Sequence, residues 1–218
     1  MQRQEIPFSQ ELLRKGIHLI SLSIPVIYIF VTKEFALSVL IPMAVLFIIF
    51  DLLMKWDNPV QKLIYIIFGG MLRPHERGKK LVFNGATWVL ISAVATVLVF
   101  PKILAVTGFT ILIISDISAA LFGRKYGKHP LFTKSWEGTF AFFISGIIVV
   151  LILGFAFGAP LAYFFWGIIG AIAAGFAEAA SSVMKLDDNL SIPVTVASIM
   201  WIGALIAQNF GQNYLAML

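Results

Sequence analysis

Seven long apolar segments constrain this chain more than any other feature of its sequence. They lie at about 16–32, 35–53, 82–100, 103–122, 139–158, 160–180 and 192–210. Each is long enough to cross the roughly 30 Å hydrocarbon core of a bilayer as a helix. Because a spanning backbone must satisfy its own hydrogen bonds, the segments predict an all-α, polytopic integral membrane protein with about seven transmembrane helices.

The ionisable residues fall almost wholly on one side of these segments when successive flanks are assigned to alternate faces of the membrane. Fourteen of the 16 basic residues share that side, and only Lys33 and Lys102 lie opposite. Ten of the 11 acids and all three histidines share it too, with Glu34 as the exception. The positive-inside rule makes this side, and the amino terminus, cytoplasmic. Orientation requires only basic residues, so the acids and histidines indicate a site on the cytoplasmic face.

Composition narrows the remaining choices. The sequence shows no soluble domain, so residues 1–218 are interpreted as a single transmembrane domain. The longest break contains an apolar run at 63–72 that is too short to span, which predicts an interfacial or re-entrant segment at about 60–80. The absence of cysteine excludes disulfides and thiolate chemistry. Orientation accounts for most of the net charge of +5, so no nucleic-acid partner is expected, and the oligomeric state stays open.

Asp116 is the most informative single residue. It lies within the fourth segment, two turns before Gly123, which places it roughly 10 Å inside the cytoplasmic end. A carboxylate at that depth is costly and indicates function by default. The alternative is a protonated or serine-paired carboxyl that faces other helices. Glu178, near the same end of the sixth segment, is a candidate catalytic base.

The segment GRKYGKHPLFTKSWEG at 123–138 follows Asp116 and resembles a phosphate-binding loop. Cationic donors and closely approaching backbone both suit phosphates. The glycine spacing does not fit a P-loop. The alternative is a positive-inside anchor with Trp136 at the level of the lipid headgroups. The candidate phosphate ligands here are Arg124, Lys125, Lys128 and Lys134.

The stretch MKLDDNLSIP at 184–193 places Asp187, Asp188 and Asn189 between the sixth and seventh segments. Adjacent carboxylates and an amide suit Mg²⁺, which prefers oxygen ligands and also holds substrate phosphates. We therefore assign these three residues, with Asp116, to a site for Mg²⁺ or another divalent cation. The alternative is a solvated turn in which Ser191 caps the seventh helix.

Two further clusters lie on the same side. Near the start of the chain, polar residues at helical spacing share one face, with an ordinary juxtamembrane basic cluster as the alternative. His18, inside the apolar segment, is a second candidate base. The candidate phosphate ligands from these clusters are Arg14 and Lys15 in the first, and Lys80 and Asn84 at the opening of the third segment.

Acids for a metal and cations for phosphates thus converge on one membrane face. Phosphoryl or nucleotidyl transfer to a lipid head group needs these parts, together with a group that takes a hydroxyl proton. A soluble nucleotide would meet a membrane-resident acceptor at such a site. A small transporter is the non-enzyme alternative, but it would need ionisable residues near the midplane or on both sides.

Four motifs, taken in order, resemble the dolichol kinase, phytol kinase and CTP-dependent diacylglycerol kinase family. They are RKGIH at 14–18, SDISAALFGRKYGKH at 115–129, KSWEG at 134–138 and DDNLSIP at 187–193. The resemblance implies a polytopic enzyme that phosphorylates a lipid alcohol, commonly with CTP as donor and a divalent cation. The central motifs are also similar to phosphatidate cytidylyltransferases. Those enzymes end in a signature containing His-Gly-Gly, where this sequence has DDNLSIP.

These observations give the hypothesis of a lipid-alcohol kinase with its active site facing the cytoplasm. CTP and a membrane lipid alcohol, of polyprenol, phytol or diacylglycerol type, would yield the lipid phosphate and CDP. Asp116 would act in the metal site, and Glu178 or His18 would be the base. Phosphatidate cytidylyltransferase activity, which forms CDP-diacylglycerol, is the alternative enzyme.

Overall fold

The structure is a computed structural model, and it describes residues 8–54, Lys62, Ile66 and 83–218. Within these residues the chain forms eight α-helices and one two-stranded hairpin. The helices are α1 (Phe8–Ile20), α2 (Ser23–Phe30), α3 (Lys33–Leu53), α4 (Gly85–Val99), α5 (Lys102–Tyr126), α6 (Trp136–Ala156), α7 (Leu161–Met184) and α8 (Asp188–Gln208). The strands are β1 (Pro130–Leu131) and β2 (Lys134–Ser135), which pair antiparallel.

The all-α, polytopic prediction is confirmed. By length and composition, six stretches of the described chain can cross a membrane, namely Ser9–Phe30 and the helices α3, α5, α6, α7 and α8. The predicted third segment corresponds to α4, an apolar helix of only 15 residues. At 1.5 Å per residue α4 is about 22 Å long, which is shorter than the hydrocarbon core. The interfacial segment predicted at 60–80 lies outside the described residues apart from Lys62 and Ile66, and stays a prediction.

The first predicted segment, at 16–32, corresponds to the candidate span Ser9–Phe30, but it starts earlier than predicted and is interrupted by a turn. The helix begins at Phe8 rather than near residue 16, and the chain turns at Ser21 and Leu22 before α2. Pro25 explains the break, because it has no N–H to donate to the carbonyl of Ser21. That carbonyl accepts instead from the Ile24 amide at 3.0 Å. The polar residues of the first segment therefore lie on a separate helix, α1.

Helix α5 is the most buried of the long helices and lies at the centre of the bundle. Gly108 brings it against α8, because a Cβ at this position would lie 2.9 Å from the carbonyl oxygen of Pro193. Gly146 of α6 packs on Ala171 of α7 in the same manner, at 3.1 Å from the built Cβ to the alanine Cβ. Small residues allow this close approach of helices. The fold thereby holds the ends of α5, α7 and α8 together.

Two interhelical contacts identify the ends of the bundle. Lys33, at the start of α3, donates to the carbonyl of Leu98 at the end of α4, which marks one end. Asp51, at the end of α3, accepts from Asn84, just before α4, which marks the other. We call the second end the site end, because the α5–α6 and α7–α8 connections lie there and, among the described residues, most ionisable groups lie with them.

The predicted loop at 123–138 is mostly regular structure. Helix α5 continues to Tyr126, the hairpin follows, and α6 begins at Trp136 with the Ser135 hydroxyl accepting from the Gly138 amide at 3.3 Å. Asp116 consequently lies about 15 Å from the end of its helix, rather than 10 Å. Helix α8 likewise begins before the predicted seventh segment, at Asp188, so Ser191 does not cap it.

Candidate active site

Three carboxylates from three helices meet at the site end. Asp116 comes from α5, Glu178 from α7 and Asp188 from the first residue of α8, and one oxygen atom of each lies within 4.8 Å of the others. We call these three residues the acid group. Asp116 and Glu178 are buried, and the Asp188 side chain is 17% exposed, so the group reaches the surface on the Asp188 side. Two of the three residues, Asp116 and Asp188, were predicted metal ligands, and Glu178 was a predicted base.

Helix α1 supplies a cation and a histidine to Asp116. The Nζ of Lys15 donates to Asp116 Oδ2 at 2.5 Å and lies 3.4 Å from the backbone oxygen of the same residue. His18 lies one turn further along α1, with its Nε2 at 3.5 Å from Asp116 Oδ2. The predicted polar face of this segment therefore turns inward onto the acid group. Both side chains are largely buried there.

Lys134, from β2, contacts the other two acids. Its Nζ donates to Glu178 Oε1 in a very short contact and to Asp188 Oδ2 at 3.2 Å. Burial by itself would lower the pKa of Lys134, but the Asp188 and Glu178 carboxylates outweigh that effect, so the pKa lies above its ordinary value. The ammonium is therefore charged at neutral pH. Lys134 joins the hairpin to the junction between α7 and α8.

A second charged cluster lies beside the acid group. Glu11 of α1 accepts from Arg14 Nη2 at 2.6 Å and from Arg14 Nε at 3.2 Å. The Nη1 of Arg124, in the last turn of α5, lies 4.0 Å from Glu11 Oε2. The opposite face of α1 is apolar and exposed, with Leu12 and Ile20 among its residues. Helix α1 thus turns its polar face to the site and its apolar face outward.

The acid group fits a hard divalent cation. Carboxylate oxygens from separate elements are the ligands that Mg²⁺ and Ca²⁺ prefer. Glu178 Oε2 is buried and has no hydrogen-bond partner among the described residues. A buried carboxylate oxygen is costly to leave without a donor, and a bound cation would satisfy it.

The other two predicted metal ligands, Asp187 and Asn189, contact each other rather than the acid group. Asp187 precedes α8, where its Oδ1 accepts from the amide of Asn189 at 3.0 Å and from the side-chain Nδ2 at 2.7 Å. It is thus an N-cap residue, and Asn189 is its partner. Adjacent residues at a helix start point in different directions, so only Asp188 reaches the acid group.

Asn84 is held by structural contacts. Its amide and side-chain nitrogens donate to the two carboxylate oxygens of Asp51 at 2.8 and 2.5 Å. Its own side-chain oxygen accepts from the Thr87 amide at 3.0 Å and caps α4. The buried Asp51 thus anchors α3 to α4, a role that sequence reasoning missed. Lys80, the other predicted phosphate ligand of this region, lies outside the described residues.

Two exposed lysines, Lys125 in the last turn of α5 and Lys128 in the α5–α6 connection, lie at the rim of the site end. The glycines beside them pack the backbone. A Cβ on Gly127 would lie 2.2 Å from the Gly123 carbonyl oxygen, and one on Gly138 would lie 2.8 Å from the Ala119 carbonyl oxygen. These glycines join the end of α5 to the start of α6, which fixes the hairpin that carries Lys134.

Comparisons with known proteins agree with the resemblance in part. An uncharacterised protein of Rickettsia prowazekii is 29% identical over 195 residues, covering 89% of this chain and 94% of that protein. A CTP-dependent diacylglycerol kinase of Schizosaccharomyces pombe is 27% identical over 148 residues, covering 62% of this chain and 66% of the kinase. A phytol kinase of Synechocystis is 32% identical over 111 residues, covering 47% of this chain and 45% of the kinase. No family model and no solved structure matches. The chain is therefore a multi-pass membrane protein with distant, partial similarity to lipid kinases.

Proposed function

We propose that the protein is a lipid kinase that transfers the γ-phosphoryl group of CTP to a lipid alcohol at the cytoplasmic face of the membrane. The observation that carries the proposal is the acid group with its two lysines, gathered at one end of a membrane bundle. Phosphoryl transfer depends on positioning and on charge neutralisation, and this arrangement is suited to both. The similarity to a diacylglycerol kinase and a phytol kinase supports this class of reaction.

In this proposal Asp116, Glu178 and Asp188 would hold Mg²⁺ or another divalent cation, which neutralises the phosphate charge when bound. Lys15 and Lys134 lie beside the acids and would bind phosphate oxygens. The candidate phosphate ligands further out are Arg14, Arg124, Lys125 and Lys128. The exposed members of that set would attract the anionic nucleotide from solution.

We assign the role of the base that accepts the hydroxyl proton to His18 rather than to Glu178. Glu178 is engaged by Lys134, whereas His18 adjoins Asp116 and has a buried Nε2 with no hydrogen-bond partner among the described residues. The lipid oxygen would attack the γ-phosphorus as the bond to CDP breaks, and the proton would pass to His18. The products are the lipid phosphate and CDP.

The experiment that tests this function determines which phosphate of CTP is transferred to a lipid. Purified protein in lipid micelles is incubated with Mg²⁺ and with CTP labelled at the α- or the γ-phosphate, against phytol, farnesol, polyprenol and diacylglycerol. We expect γ-label in one of these lipids, and none without a divalent cation. The appearance of α-label in lipid when phosphatidate is supplied would identify a cytidylyltransferase instead.

The sidedness of the site is tested separately. The chain contains no cysteine, so each introduced cysteine is unique. We expect Lys128→Cys to react with a membrane-impermeant maleimide only in inverted vesicles, and Glu34→Cys only in intact cells, because these exposed positions lie at opposite ends of the bundle. The reverse pattern would place the site on the outer face.

A further inference from the structure

Lys134 contacts two of the three carboxylates that a divalent cation would use. Its Nζ contacts Glu178 Oε1 and Asp188 Oδ2, and these two residues supply two of the three carboxylates of the acid group. An ammonium on these two carboxylates and a divalent cation in the same acid group would repel each other strongly at such short range. The two cations therefore compete for the same carboxylates.

The second lysine of the site is held more firmly. Lys15 lies on α1, its side chain is 5% exposed, and its Nζ also lies near the backbone oxygen of Asp116. The side chain of Lys134 is 26% exposed and extends from a short hairpin whose tip, at Phe132 and Thr133, is exposed. Lys134 can therefore leave the acids by rotation of its own four-carbon stem, whereas Lys15 is fixed in place by its helix.

We propose that Lys134 is an exchangeable counter-ion, which a divalent cation displaces from Glu178 and Asp188 and which then binds nucleotide phosphate. The proposal rests on the proposed function in treating the acid group as a cation site and a nucleotide phosphate as the ligand that Lys134 then binds. It makes metal binding and nucleotide binding reciprocal, because each favours the state in which Lys134 has left the acids. Lys134 is then a positioning residue that changes partners, rather than a fixed phosphate ligand.

Metal affinity is the first test, measured on the full-length protein in detergent by the paramagnetic resonance of Mn²⁺ without nucleotide. We expect Lys134→Met to bind Mn²⁺ about tenfold tighter or more, because a competitor has been removed. Lys128→Met is the matched control, since it removes the same charge from an exposed position in the same connection. We expect its affinity to lie close to that of the wild type.

Equal affinities for Lys134→Met and Lys128→Met would overturn the inference, as would weaker binding by Lys134→Met. Asp116→Asn keeps this failure separate from a failure of the proposed function. If Asp116→Asn abolishes Mn²⁺ binding while Lys134→Met leaves it unchanged, the cation site stands and only the exchange is wrong. If neither variant nor the wild type binds Mn²⁺, the cation site and the exchange both fail.

A second measurement uses the unaltered chain and so does not depend on the folding of a variant. Lysines are acetylated briefly with and without Mg²⁺, and the modified positions are read by mass spectrometry. We expect Mg²⁺ to raise the modification of Lys134 several-fold and to leave that of Lys128 unchanged. Unchanged or reduced modification of Lys134 would contradict displacement.

Discussion

The two ends of the bundle use lysine in different ways. At the end opposite the site, Lys33 donates to the carbonyl of Leu98 at 2.7 Å, and Lys102 donates to the carbonyl of Ile29 at 2.8 Å. Both carbonyls belong to the last turn of a helix, where they have no amide partner within the helix. These two lysines complete the hydrogen bonding of helix ends, and the contacts need no carboxylate.

At the site end, in contrast, lysine side chains contact carboxylates. Lys15 binds Asp116, and Lys134 binds Glu178 and Asp188. A buried ion pair of this kind contributes little net stability, because desolvation offsets the attraction. The contrast teaches that lysines at one end maintain the fold, while those at the other contact a set of carboxylates that fits a divalent cation. Substitutions at the site end should therefore lower activity, and substitutions at the opposite end should lower stability.

Asp116→Asn should give the largest effect. Asp116 is a proposed metal ligand, and the loss of such a ligand would remove several kcal/mol of transition-state stabilisation, so we expect phosphoryl transfer to fall by about 10³-fold or more. The measurement is γ-label transfer by purified protein, with size-exclusion chromatography to verify folding. Full turnover by this variant would remove Asp116 from the reaction.

This substitution also leaves the charge of Lys15 buried without its partner, which destabilises the fold whether or not Asp116 takes part in the reaction. The double variant Asp116→Asn with Lys15→Met is the control, because it removes both charges of the pair. We expect it to be folded and as inactive as the single variant. Recovery of activity in the double variant would show that Asp116 serves only to neutralise Lys15.

His18→Ala should give the next largest effect. General base catalysis contributes about 10²-fold or more, so we expect kcat to fall by that factor while Mn²⁺ affinity stays near that of the wild type. His129→Ala is the control, because His129 is 78% exposed and pairs with Glu137 at the hairpin. Equal losses in the two histidine variants would argue against a base role for His18.

The sequence predicted most of the spans and named the three carboxylates that meet at the site end, but it did not predict the partners of each residue. Hydropathy located most of the spans, because a membrane span must be a continuous apolar run, but it missed the break before α2 and the short length of α4. The shared face of Lys15 and His18 followed from helical spacing. The contact of Lys134 with Glu178 joins residues 44 positions apart, so it depends on the packing of α6 and α7 and on the unexpected hairpin.

The choice between Asp187 and Asp188 illustrates the same limit at short range. The two residues are chemically identical, and the sequence assigned both to the metal. The helix begins at Asp188, four residues before the predicted seventh segment at 192, and Asp187 is its N-cap, with its side chain turned back to the Asn189 amide. A single residue of helix boundary thus decides which carboxylate enters the site, and boundaries are the least reliable part of sequence-based prediction.

Lys102→Met should show the stability phenotype of the opposite end. It removes the hydrogen bond to Ile29 and the placement of the ammonium 5.5 Å from the ring centroid of Tyr28, so we expect a loss of about 1–2 kcal/mol in the free energy of unfolding. The measurement is unfolding in mixed micelles. Lys102→Arg keeps a cationic donor and should lose less. Activity at low temperature should stay near that of the wild type for both variants.

Lys33→Met should give the smallest effect that is still measurable. It removes one exposed hydrogen bond to the end of α4, so the expected loss is about 0.5–1 kcal/mol in the free energy of unfolding. Lys128→Met, at an exposed position of the site end, gives the reference for loss of one surface charge. If Lys33→Met lowered phosphoryl transfer by as much as Lys134→Met while leaving unfolding unchanged, the division of labour between the two ends would be wrong. If Lys33→Met lowers stability alone, then the partner of each lysine determines its role: a lysine that contacts a carbonyl serves stability, and one that contacts a carboxylate serves activity.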